Sequence, residues 1–154
     1  ILGDLRALVE QVHTPLAVRS SSLLEDALAQ PFAGVYQTKM IPNNQPGADE
    51  RFRRLVEAIR FVYASVFFSG ARAYLRAARR PEPRDSMAVI IQEVIGTRFR
   101  DRFYPHVSGV ARSYNYYPTG HASPHDGVAS LALGLGKTIV EGGVCWTFSP
   151  AWPN

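Results

Sequence analysis

The chain has 154 residues, 46% of them hydrophobic and 19% charged, which is an ordinary globular composition at the size of about one domain. A single cysteine, Cys145, excludes an internal disulfide and a cysteine-cluster zinc site, and no apolar run approaches the ~18 residues that a membrane helix needs. The net charge of +4 raises nucleic acid as a partner, but nine of the 15 arginines lie between Arg51 and Arg84, interleaved with Glu57, Glu82 and Asp85, and read more simply as a solvated helix face.

Ile1, Leu5, Leu8, Val9 and Val12 recur at helical spacing, and Pro15 ends that helix. Leu16-Ala17-Val18 has the size of a buried strand. Ser22 with Glu25 three residues later has capping-box spacing and predicts a short helix or turn. Phe32 to Thr38 reads as a small-residue turn into a second strand, followed by a loop from Asn43 to Gly47. Phe52, Leu55, Val56, Ile59, Val62, Tyr63 and Val66 then trace one helical stripe. Gly70 interrupts it, and Ala71 to Arg80 makes a further helix before Pro81 and Pro83. Met87 to Ile95 is a strand, Gly96 to Arg102 a charged turn, and His106 to Tyr117 the expected antiparallel partner of that strand. After a loop from Pro118 to Asp126 come a strand from Gly127 to Leu133, a sharp turn at Gly134-Leu135-Gly136, and an extended end with Pro150 and Pro153. This order predicts an α+β fold with a helix pair inserted between two sets of strands. The opening Ile1 and the lack of a basic-then-apolar leader predict a cytoplasmic protein, with residues 1–154 as one partial domain of a longer chain.

Three motifs fall short of the chemistry they suggest. Gly136-Lys137-Thr138 resembles the end of a phosphate loop, but Leu131 stands where the first glycine belongs, so the backbone amides cannot curl round a phosphate. His121 and His125 have the i, i+4 spacing of a zinc helix, yet Pro124 lies between them and no glutamate follows His121. Ser20, Ser21 and Ser22 lack the glycines of a nucleophile elbow, and Cys145 beside Trp146 reads as a buried thiol.

What remains is Leu16-Ala17-Val18-Arg19-Ser20-Ser21, then Glu25-Asp26, then Phe32-Ala33-Gly34 with Thr38. A strand delivers one guanidinium to its end, and a glycine-bearing turn can approach it with free backbone amides. A polyphosphate would suit that arrangement, since Arg gives bidentate charge-assisted bonds and a Thr hydroxyl adds a donor. A surface arginine paired with Glu25 or Asp26 explains the same residues equally well.

The same phrases are similar to the N-terminal nucleotide-binding domain of phosphoenolpyruvate synthase and pyruvate phosphate dikinase. The likeness continues through Ala64-Ser65-Val66-Phe67, Tyr74-Leu75-Arg76 and Met87-Ala88-Val89-Ile90-Ile91-Gln92. It resumes at Ser108-Gly109-Val110, Pro118-Thr119-Gly120 and Gly134-Leu135-Gly136, in family order from Pro15 to Gly143. The resemblance implies an ATP-grasp-like fold with ATP held between two α+β lobes. It also implies transfer of phosphate from ATP to a histidine on a separate swivelling domain, and from there to pyruvate. By matching phrase, Arg19 would contact the ATP phosphates, Gly34 would belong to the loop over them, and Thr38 would lie at the strand that follows. Gln92, Glu93 and Val94 would line the adenine edge, partly through backbone groups.

This chain also departs from the family pattern. Lys137 stands where the family has a glutamate after Gly-Leu-Gly, and Ala111-Arg112-Ser113-Tyr114 replaces Phe-Thr after Ser-Gly-Val. The aspartate expected before Pro-x-Thr-Gly is absent. Thr119-Gly120-His121-Ala122 is weakly similar to the family's phosphohistidine phrase but lies inside the nucleotide-domain pattern. Mg²⁺ needs carboxylates beside the phosphate oxygens, and no such pair is evident, so its ligands are expected outside this chain. The expectation is an ATP-binding piece of a phosphotransferase, with the phosphohistidine and acceptor domains as partners. A non-catalytic ATP-binding regulatory or sensory module is the alternative, and an Arg-rich nucleic-acid binder a third.

Overall fold

A computed structural model describes residues 1–22, 34–77, 87–136, 138–139 and 142–153. The elements among them mix helices with antiparallel strands, an α+β fold. They are α1 (Leu2–Gln11), β1 (Leu16–Ser22), β2 (Lys39–Ile41), α2 (Ala48–Ala64), α3 (Ser69–Ala77), β3 (Met87–Glu93), β4 (Thr97–Phe99), β5 (Arg102–Tyr104), β6 (Val107–Arg112), β7 (Val128–Leu133) and β8 (Trp146–Phe148). The chain divides into two compact units, residues 1–94 and 95–154. No described helix is long and apolar enough to cross a membrane.

In the first unit β1 is the central strand of an antiparallel sheet ordered β2-β1-β3. Leu16 pairs with Ile41 on one side and Glu93 on the other, and Arg19 pairs with Ile90. Period-two alternation sends Leu16 and Val18 to one face, where they are almost wholly buried. There they meet Val9 of α1, Ile41 of β2, and Leu55, Ala58 and Val62 of α2, with Val89 and Ile91 of β3 packed alongside. Asp49 and Glu50 in the first turn of α2 complement the helix dipole, and Leu55, Ala58 and Val62 supply the three- and four-residue spacing of its inner face.

Two polar side chains fix the connections. Ser65 donates to the Val62 carbonyl at 2.6 Å and accepts the Gln37 N–H at 3.1 Å, tying the end of α2 to the segment that leads into β2. Asn43, with a left-handed φ of 49°, donates to the carbonyls of Val12 at 2.7 Å and Thr14 at 3.2 Å. It thereby joins the exit of β2 to the α1–β1 connection.

The second unit holds the β4-β5 hairpin and a three-stranded antiparallel sheet ordered β6-β7-β8. Val107 pairs with Leu133 and Arg112 with Val128, while Leu131 pairs with Trp146. Gly136 has a φ of +68°, and a Cβ there would stand 2.7 Å from that of Ser108, so backbone strain and crowding both demand glycine.

Several expectations change. β3 pairs with β1, not with β6, so the helix pair is inserted within one sheet, between its β2 and β3 strands. The serines after Arg19 continue β1, with Ser22 buried at its end, and the predicted helix or turn beyond Ser22 lies outside the described residues. Gly70 sits inside α3; the break falls at a 3-10 turn over Ser65–Phe67. The charged turn from Gly96 to Arg102 is most of a hairpin. Arg51 is not on a solvated face: it is 3% exposed, and its guanidinium donates to the carbonyls of Val9, Gln45 and Pro46. Cys145 is half-buried, its Sγ 3.7 Å from the Thr147 hydroxyl.

Candidate functional site

The face of the first sheet opposite the core carries the residues that sequence pattern singled out. Alternation along β1 puts Ala17, Arg19 and Ser21 on this face, and register adds Gln92, Ile90 and Ala88 from β3 and Met40 from β2. Arg19 is exposed, and its guanidinium has no partner among the described residues. Glu25 and Asp26, the carboxylates that could pair with it, lie outside those residues. Arg19 faces Ile90 directly, and Gln92 faces Ala17, so Arg19 and Gln92 are diagonal neighbours, a relation of about 7–8 Å between Cα atoms. β2 pairs Lys39 with Val18, and exposed Thr38 directly precedes that strand.

Gly34 opens the described segment that runs to β2. Its φ is +81°, and a Cβ there would meet nothing within 4 Å. Glycine is required there by backbone conformation and not by space. Phe32 and Ala33 are outside the described residues.

The three candidates at the end of β3 do not act alike. Gln92 is exposed on the face of Arg19. Glu93 alternates to the other face, and its carboxylate accepts a 2.6 Å hydrogen bond from the Thr14 hydroxyl. The Val94 N–H donates to the Pro15 carbonyl at 2.9 Å, which extends the sheet hydrogen bonding by one residue.

Met40 and Ile90, each about half exposed at 50% and 47%, were missed by sequence reasoning although alternation from Arg19 locates Ile90. They flank Ala17 and Arg19 with apolar surface. Among the described residues the face thus offers one cation, the Ser21 hydroxyl, a side-chain amide with both a donor and an acceptor, and two apolar contacts. Among the described residues it offers no carboxylate, and no three metal-ligating side chains gather anywhere in them. No ligand set for the Mg²⁺ that the resemblance implies is found among the described residues of this face.

The other motifs are placed in the second unit. Gly134-Leu135-Gly136 is a turn locked to β6, since Ser108 donates to the Gly134 carbonyl at 2.6 Å and Gly134 N–H to that of His106 at 3.0 Å. Lys137 lies outside the described residues. His121 and His125 go different ways, the first beside the Trp152 ring at 6.1 Å and the second edge-on to Tyr114 at 5.5 Å.

The family model for the pyruvate phosphate dikinase AMP/ATP-binding domain matches residues 1–146. No curated protein matches the chain.

Proposed function

The chain belongs to the pyruvate phosphate dikinase AMP/ATP-binding domain family, and on that premise we propose that the open face of its first sheet receives ATP. Arg19 holds the phosphates through its planar fork, with the Thr38 hydroxyl as a second donor and the turn at Gly34 approaching over them. Gln92 presents a donor and an acceptor to the base edge. Glu93 and Val94 contribute backbone at the strand end, and the Glu93 side chain stays with Thr14. The observation that carries this reading is an exposed guanidinium without a partner among the described residues, sharing one sheet face with Gln92.

In the whole protein the phosphoryl group would pass to a histidine on another domain and then to pyruvate or a similar acceptor. This domain would be part of an ATP-grasp-like pair of lobes. In such chemistry the protein chiefly positions groups and stabilises charge, which is the task that Arg19 performs here. Mg²⁺ would come with the nucleotide, held by phosphate oxygens and by carboxylates from outside this face. A regulatory module that binds ATP without transferring phosphate is favoured by the departures from the family pattern at Lys137 and Arg112. Pyruvate-dependent AMP formation by the whole protein separates the two.

The test of the site is calorimetric titration of ATP and adenosine into the chain and its Arg19 variants, after circular dichroism establishes folding. Hydrogen bonds to charged groups are worth about 1.5–3 kcal/mol, so Arg19→Ala is expected to weaken ATP roughly 10–100-fold and to leave adenosine unchanged. Arg19→Lys recovers only part, because an ammonium cannot reproduce the bidentate fork. Equal weakening for both ligands would assign Arg19 to the fold, and no weakening would remove it from the site.

A further inference from the structure

The second unit has a cavity of its own. Its volume is about 830 Å³, within the roughly 300–1,000 Å³ typical of small-molecule sites, and every residue lining it lies between Val110 and Pro153. The floor is the face of the sheet that carries Val110, Ser130 and Thr147 in register, with the Ser130 and Thr147 hydroxyls 2.9 Å apart. The walls are rings. Tyr114, Tyr117 and Trp152 line it from the loops, with Trp152 53% exposed, while Trp146 and Phe148, which also line it, flank Thr147 on β8 and alternate away from the floor. Aromatic surface left open in a concave site is what a flat ligand would cover.

Its charge is one-sided. Arg112, at the end of β6, lines the cavity and has no hydrogen-bond or ion-pair partner among the described residues. No Asp or Glu is among the lining residues that the structure describes. The carboxylate behind the wall, Asp126, is engaged by the Ser123 N–H at 2.7 Å and the Trp152 indole N–H at 3.3 Å. A phosphate dianion ordinarily recruits several donors, a helix N-terminus or a backbone nest. A single guanidinium in a ring-lined cavity instead matches one planar, singly charged carboxylate.

We propose that this bowl binds aromatic carboxylates, with Arg112 forking onto the carboxylate and the ring walls stacking the arene. The site uses none of the residues assigned to ATP. One of its distinguishing side chains, Arg112, stands where the family pattern differs.

Both tryptophans of the chain line the cavity, so their fluorescence reads its occupancy directly. The experiment titrates the 154-residue chain with benzoate, 4-hydroxybenzoate and indole-3-carboxylate, each against its neutral primary amide, by tryptophan quenching and calorimetry. At least one acid is expected to bind saturably and about tenfold or more tighter than its amide, and Arg112→Gln to reduce the acid to the amide's level. Arg112→Gln should leave ATP affinity unchanged, and Arg19→Ala should leave arene binding unchanged, so failure of either site is seen separately. Three acids without saturable binding, amides that bind as well as acids, or displacement by ATP would each overturn the proposal. If Arg112→Gln does not fold, the acid-against-amide comparison on the unaltered chain decides alone.

Discussion

Arg51 and Asp126 show how differently two charged side chains can serve the same fold. Arg51 is almost fully buried, yet its partners are three backbone carbonyls, those of Val9, Gln45 and Pro46, and no carboxylate. It closes the C-terminal end of α1 onto the loop before α2. Arg51→Ala strands those acceptors and is expected to cost about 3 kcal/mol or more in urea unfolding, with Arg51→Lys recovering less than half. A position read as one more arginine on a wet helix face is thus a structural clamp. Asp126 is half-buried, its carboxylate held below the usual range by the Ser123 N–H, the Ser123 side chain, the Trp152 indole and the nearby His125. A carboxylate with a depressed folded-state pKa stabilises above its unfolded value near 3.9 and loses that contribution as pH falls through the folded value. The Trp152 indole N–H resonance should therefore hold its position down to about pH 4 and shift below it. Asp126→Asn should abolish that acid-range shift.

At the scale of elements, α2 was the clearest signal in the chain and still misreported its own inner face. Apolar spacing put Val56 and Tyr63 in the stripe, but the buried positions are Arg51, Leu55, Ala58 and Val62, and Tyr63 is 46% exposed. Leu55→Ala should cost about 2–5 kcal/mol in chemical denaturation, whereas Tyr63→Ala should stay under about 1 kcal/mol. Strand existence was legible in the same way for β1, β3 and β7, where apolar runs are bounded by turn residues. Strand partnership was not. His106 to Tyr117 alternates as an antiparallel strand must, but alternation fixes which face a residue takes and says nothing of which strand lies beside it. The same rule also separates Gln92 from Glu93, since adjacent strand residues cannot share a face, so part of the candidate site could have been resolved from sequence alone.

The two units are built on unequal interiors. The buried clusters around Leu55 and around Tyr36 belong to residues 1–94, whereas Ala132 is the single buried apolar residue described in residues 95–154. The second unit instead relies on ladders, locked turns and partly covered rings. Amide hydrogen exchange should accordingly be slowest in β1 and α2 and faster throughout β6, β7 and β8, with opening free energies differing by several-fold. Equal protection in the two units would contradict that division. Family membership and α+β class were readable because ordered short phrases survive along the chain. Composition hides the thin interior of the second unit, because Leu133, Val144 and Trp146 look like core residues and are 88%, 95% and 64% exposed.

The placement of β3 also has a kinetic meaning. β1 can meet β2 early, but Arg19 waits for Ile90 and Gln92 until the whole of α2 and α3 has been threaded between them. Contacts so distant along the chain must have their loop-closure entropy paid before they are rewarded, so this pairing slows folding. A ligand that grips both β1 and β3 tests whether the pairing forms after the folding barrier. It should slow the unfolding limb of a chevron and leave the refolding limb where it was.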